Sequence, residues 1–269
     1  MKKYIFLMLA FVFLSYANSQ NNRTGIIYYD HIDNHYSESY NAYLVFNEYK
    51  SHFVTSKDSL GVSVNGKTVI NQHNDEDLVE VSEYDDVSKT RRHGLEVYLN
   101  KATDSMFFTN AFTLTSSLLY GKEKRPNIKW ELKEDTKKIG KFTCKKAVTK
   151  FRGRTYICWY TEEIPLSYGP WKLQGLPGMI LEAKSTDEYF VIQFRKIEYP
   201  VTHISVPKSE EKLLHSNKDF MTMEQYRTTQ KNEIEKVNNH LKVSAKKYNV
   251  RVHPFSELDN FLEVFGDQK

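Results

Sequence analysis

Two cysteines, seven prolines and eleven glycines are all that this chain of 269 residues holds of the types that staple, kink or loosen a backbone. So few cysteines exclude a disulfide-dense miniature scaffold, and so little Pro and Gly excludes a collagen-like or Pro/Gly-rich disordered chain. Long apolar runs are scarce too. The longest spans Tyr4 to Leu14, too short for a bilayer anchor, which needs about 20 apolar residues. Neither sign of charge dominates: Lys and Arg number 38 against 34 Asp and Glu, and removing Lys2 and Lys3 takes the net charge from +4 to +2. That balance gives no electrostatic reason to expect nucleic acid or an anionic membrane as partner. Catalytic signatures such as GxSxG, CxxC and HExxH are missing, so no catalytic, cofactor-binding or metal-binding residue is assigned.

The apolar run does have an address. Lys2-Lys3, the run itself and the small residues Ala17-Asn18-Ser19 before Gln20 read as an export signal cleaved near Ser19/Gln20. The expected division is a signal over 1–19, an antiparallel β-rich domain over 20–206, and a helical segment over 207–269 packed on the same domain. The product is expected in a periplasm or outside the cell, without a transmembrane segment in the mature chain.

Alternating Tyr- and Val-rich runs recur before residue 207, as in GIIYYDHI from 25, YNAYLVF from 40 and LEVYLN from 95, and Asn65-Gly66 is a strong hairpin signal. No helical pattern lies between them before residue 210, so the strands should be joined by hairpins rather than by helical crossovers. The fold class is α+β, mostly β: a curved antiparallel sheet or half-barrel with a long C-terminal helix. From Phe220 to Tyr248 the period changes to three-four, with apolar Phe220, Met223, Tyr226, Ile234, Val237, Leu241, Ala245 and Tyr248, and with Thr222 and Gln225 spaced for a capping box. The narrow stripe fits cover over a sheet edge or open face; a partner-binding helix is the alternative.

The stretch KFTCKKAVTKFRGRTYICWY reads as a hairpin turning at Arg152-Gly153. A two-residue turn places Cys158 opposite Ala147, three residues and about 10 Å along the strand from Cys144. A disulfide needs Cα atoms about 4.4–6.8 Å apart, so this register leaves both thiols free; a bulge or another turn would alter it. The basic clusters at Lys137, Lys138, Lys141, Lys145 and Lys146, on what reads as a strand, and at Arg91-Arg92 read as solvated faces rather than nucleic-acid contacts. His31 and His35 share an i,i+4 spacing but read as solvent-exposed rather than metal-binding, and the seven carboxylates of DEDLVEVSEYDD (75–86) as a solvated acidic face without EF-hand spacing. Ser205-Val-Pro-Lys208 matches SxxK without its companion motifs.

The most punctuated stretch is GPWKLQGLPGMILEA from 169. Leu176-Pro177-Gly178-Met179 fits a type II turn, with Gly178 at positive φ, and the apolar residues after it begin a strand. No GK[ST] follows and no helix begins there, so the stretch is no phosphate cradle. It is a corner reversing a buried strand or a ligand contact, and a corner can serve as both. Its candidate binding residues are Gly169, Pro170, Trp171, Gly175, Leu176, Pro177 and Gly178.

GLPGMI, preceded by IPLSYGPWKLQ and by the Trp-flanked hairpin from Ile128 to Glu163, resembles the GLPGLI family of exported proteins from Bacteroidetes-type bacteria. The resemblance is specific over about Trp130–Glu198, with Met179 in place of the usual leucine. It implies export, a β-rich fold and a family without an established activity, and it transfers no catalytic residue. In such bacteria Asp58-Ser59-Leu60 and Asp104-Ser105-Met106 resemble acceptor sites for O-glycosylation. Three functions follow in order: a non-catalytic binding or carrier-like protein holding a hydrophobic small molecule, an envelope interaction protein without a pocket, and a hydrolase with an unrecognised site.

Overall fold

The computed structural model describes residues 24–34, 38–55, 63–64, 67–68, 95–112, 117–201 and 219–266. The export signal, the acidic run 75–86, His35, Arg91-Arg92, Asp58-Ser59-Leu60 and Ser205–Lys208 lie outside them. The strands are β1 (Gly25–Asp33), β2 (Glu38–Phe46), β3 (Lys50–Val54), β4 (Ser63–Val64), β5 (Lys67–Thr68), β6 (Glu96–Asn100), β7 (Ser105–Phe112), β8 (Ser117–Lys124), β9 (Glu131–Ile139), β10 (Phe142–Phe151), β11 (Arg154–Thr161), β12 (Met179–Ser185) and β13 (Val191–Glu198), followed by helices α1 (Met223–Tyr248) and α2 (Glu257–Asn260).

One antiparallel sheet of eleven strands runs β8-β7-β6-β3-β2-β1-β13-β12-β11-β10-β9. Its two edges, β8 and β9, are consecutive in the chain. Laid flat, eleven strands about 4.8 Å apart would separate those edges by about 48 Å, whereas the connection 125–130 reaches roughly 25 Å when fully extended. The sheet therefore curls until its edges approach. An ion pair across the seam marks the approach: Arg152 at the β10–β11 turn pairs with Glu123 of β8. The curved sheet and long C-terminal helix are as the periodicities indicate.

Local chemistry explains the turns. Ser63↔Thr68 and Val64↔Lys67 pair around Asn65-Gly66, the hairpin expected there. Arg152 and Gly153 both take positive φ, 49° and 78°, the signature of a type I′ turn. The ladder then sets Ala147 opposite Cys158, and both cysteines are free. A bulge between Lys145 and Ala147 shifts the phase of β10, so that Cys144 and Ala147 both face the core. The lysine-rich face stays wet, and Lys145 and Lys146 pair with Glu162 and Asp135.

Helix α1 begins where the sequence indicates. Thr222 Oγ1 accepts from Gln225 N while Gln225 Oε1 accepts from Thr222 N, a closed capping box. Phe220 stands before the helix, and Met221 bridges Gly121 in parallel, covering part of the β8 edge. The apolar stripe buries only its first turns: Tyr226 is fully buried, whereas Tyr248 is 66% exposed. Past α1 the chain doubles back, held by Asn238, whose amide donates to Phe255 O and accepts from Phe255 N. Arg154 then pins the end of the chain, donating to the carbonyls of Leu258, Phe261 and Leu262. Among the described residues no helix is long and apolar enough to cross a membrane.

Candidate functional site

The segment from Ile164 to Gly178 folds into the concave side of the curled sheet. Tyr168, Trp171, Leu173 and Leu176 join the central apolar core, while Gly175 and Pro177 face solvent. Trp171, itself at a positive φ of 54°, packs its indole against Phe151, Tyr156 and Phe190, with ring centroids 5.7 to 5.8 Å away. Tyr168 O accepts from Ile180 N, and Trp130 Nε1 donates to Gln174 O. The segment thus fills the interior rather than lidding it.

The expected type II turn at 176–179 is not formed. Positive φ belongs to Gly175, at 96°, and not to Gly178. Gly178 is required for space: a Cβ there would run into the carbonyl of Thr161, and one on Gly169 would lie 2.8 Å from Leu173 O. His31 also departs from expectation. It is buried, its ring 5.7 Å from Phe190 and 6.2 Å from Tyr40. The run GVSVNGKT fits the GxxxxGK[ST] spacing of a phosphate loop, yet Val64 pairs with Lys67 across a hairpin, incompatible with the strand-loop-helix such a loop needs.

What the motif carries inward is a charge. Lys172, with no exposed side-chain surface, places Nζ 2.7 Å from both Glu123 Oε1 and Glu263 Oε1. Arg152 bonds Glu123 and sets its Nε 3.2 Å from Glu263 Oε2. Two cations and two carboxylates therefore close a neutral, nearly dry cluster, which is how buried charge becomes tolerable. The Lys172 ammonium also lies 3.2 Å from the Phe108 ring centroid. Beside the cluster Tyr226 accepts from Asn110 Nδ2 at 2.5 Å, and burial pushes its phenol well above the ordinary range. β8, the β10–β11 turn, the buried segment and the chain end each contribute one charge. Sequence spacing gave no sign of this, since Glu123 and Glu263 are 140 positions apart, although Lys172 and Arg152 sit in the two motifs singled out.

On the outer side of Arg152 the seam opens into a groove of about 390 Å³ lined by Pro126, Lys150, Phe151, Arg152, Arg227, Val264, Phe265 and Gly266. The Arg227 guanidinium lies 4.6 Å from the Phe265 ring centroid, and that of Arg152 5.5 Å from the same ring and 5.3 Å from Phe151. Lys150 and Arg227 have no carboxylate partner among the described residues. The Glu257 carboxylate nearby is engaged by the amides of Phe265 and Gly266, at 2.8 and 2.7 Å. Among the described residues no group of three or more His, Cys, Asp or Glu is placed to hold a metal ion.

With this geometry in view, residues 122–227 match a family described as N-glycanase peptide, N-terminal domain. The match takes in β9 to β13, the buried segment and the start of α1. No curated protein matches the chain. Two crystal forms of PNGF-II are similar in structure at 14% identity, with TM-scores of 0.49 and 0.47, over 77% and 75% of this chain. The chain spans 33% and 31% of theirs. An uncharacterized conserved protein from Thermus thermophilus is similar at 10% identity and a TM-score of 0.34, over 80% of this chain and 98% of that one.

Proposed function

We propose that the chain is an exported, non-catalytic binding module of the GLPGLI kind, whose seam groove meets a glycan-bearing ligand. In this reading the signal over 1–19 is removed near Ser19/Gln20, and the β-rich domain 20–206 carries the segment 207–269 on its surface in a periplasm or outside the cell. The observation that carries the reading is the groove itself, where Lys150 and Arg227, unpaired among the described residues, reach the surface beside Phe151 and Phe265. The family match, named for the N-terminal domain of an N-glycanase, supports a glycan as the ligand. Glu123 and Glu263 argue against a hydrolase built on them, because both carboxylates are buried in ion pairs with Lys172 and Arg152 rather than open to a substrate.

A carrier role for a hydrophobic small molecule would need Tyr168, Trp171 and Leu176 to leave the interior they fill. A second reading, docking onto an envelope protein, is favoured by the apolar side chains left in water near the end of α1, where Val243 is 67% and Val250 54% exposed. The deciding experiment combines mass spectrometry of organic extracts of the natively purified protein with equilibrium binding to N-glycopeptides. Glycopeptide binding with no co-purified lipid is the expected result. A stoichiometric lipid would replace this reading with the carrier, and neither ligand would leave the docking role.

A further inference from the structure

The groove is built unlike an ordinary surface cleft. Arg152 occupies the first position of a type I′ turn, at φ 49°, where Asn or Gly is the unstrained choice. Its guanidinium is engaged by Glu123 and Glu263 and held against Phe151 and Phe265. That arrangement fixes the Phe265 ring, and Phe265 in turn holds Arg227, whose N–H edges meet no acid among the described residues. Lys150, also without a carboxylate among the described residues, brings a second cation from the adjoining strand to the same groove.

We propose that this groove is an anion-selective saccharide site, with Arg227 and Lys150 taking the acid group of an acidic glycan and Phe151 and Pro126 receiving the apolar face of a sugar ring, while Phe265 holds Arg227 in place. The inference rests on the binding-module reading and adds the ligand's charge to it. A small inorganic anion would satisfy the cations but leave the apolar walls unused. A neutral sugar would use the walls and leave the cations unused. Only a ligand with both features engages the whole groove, and its volume falls in the range of ligand sites. Sulfate and uronate carboxylate share the recognising chemistry, a planar or tetrahedral oxyanion accepting from guanidinium and ammonium.

Calorimetric titration of the mature chain tests this with four probes: a sulfated hexasaccharide, an oligogalacturonate of the same length, neutral maltohexaose and inorganic sulfate. At low salt at least one acidic saccharide should bind about tenfold or more tightly than maltohexaose, weakening as salt screens the contact. Arg227→Gln and Lys150→Gln should each lose about tenfold for the acidic probe, the size of one exposed charge-assisted contact, with unchanged melting and unchanged affinity for maltohexaose. The tighter of the two acidic probes identifies sulfate or carboxylate as the group preferred. Equal affinity for acidic and neutral probes would overturn the anion assignment while leaving glycan binding intact. Inorganic sulfate binding as tightly as the sulfated sugar would overturn the saccharide assignment. Failure of all three saccharides would overturn both the inference and the glycan form of the function.

Discussion

Lys172 Nζ lies 2.7 Å from Glu263 Oε1, joining the middle of the buried segment to a residue close to the end of the chain. The pair makes two distant stretches one structural unit, because neither charge can stay buried without the other. Replacing Lys172 by Ala leaves two carboxylates facing a single guanidinium and should cost about 3–5 kcal/mol, read as a lower urea midpoint with an unchanged slope. The double change Lys172→Met, Glu263→Gln, which leaves the Arg152–Glu123 pair neutral, should recover much of that loss. A single variant as stable as the parent would mean that the cluster is open to water.

Gly178 and Gly175 should fail differently on substitution. Gly178→Ala places a methyl into the Thr161 carbonyl, a clash with backbone that cannot step aside, and should abolish the folded state or shift the start of β12. Gly175→Ala meets nothing closer than Trp130 Nε1 at 3.8 Å, and its cost is that of its φ of 96° alone, about 1–2 kcal/mol. Met179→Leu should be nearly neutral. Thermal melts of the three variants give the order, and Gly175→Ala proving the worst would refute the assignment of roles.

Those two glycines mark how far the sequence could be read. Alternation, hairpin dipeptides and the Thr222–Gln225 spacing are local signals, and the strands, the Ala147↔Cys158 register and the helix cap all followed from them. The two glycines in GLPG differ by contacts to Thr161 that only the folded chain creates, so turn statistics placed positive φ at the wrong one. The Lys172 cluster and the groove were hidden for the same reason: they unite β8, the β10–β11 turn, the start of α1 and residues 263–266 through the curl of the sheet. A short connection between β8 and β9 is what forces that curl, and it carries no motif.

The two thiols should be inert in the native protein and should make it sensitive to alkali. Burial, with Glu182 adding to it, lifts Cys144 from 9.0 to about 11, and burial alone raises Cys158 further. Because the folded values lie above the unfolded ones, this stability is complete below about pH 9 and is lost as pH rises through 11 and beyond. Thiol titration at pH 8 should find no reactive cysteine until denaturant is added, then two. Rapid labelling of Cys144 in the native protein would show that β10 opens locally.

Thr222→Ala removes the side-chain half of the capping box and should cost about 1 kcal/mol, read by hydrogen exchange at the first turn of α1. Tyr226→Ala, one turn later, empties a fully buried site that meets Phe108 and Phe265 edge to face, and should cost about 3–5 kcal/mol. If the two variants were equally stable, the helix would not be anchored by its first turns.

Arg152→Asn sets two effects against each other. Asn accepts left-handed φ readily, so the substitution relieves up to about 1–2 kcal/mol of turn strain. It also withdraws the guanidinium that contacts both Glu123 and Glu263, leaving Lys172 alone between two buried carboxylates, a loss of about 3–5 kcal/mol. The second effect is larger, so the variant should be less stable by about 2 kcal/mol, even though it improves the hairpin by every local rule. Adding Glu123→Gln removes the carboxylate that depends most on Arg152 and should restore part of the loss, giving a coupling well above the few tenths of a kcal/mol found for independent sites. A more stable Arg152→Asn protein would mean that the cluster does not depend on its second cation and that Arg152 is kept for the groove it faces rather than for the fold.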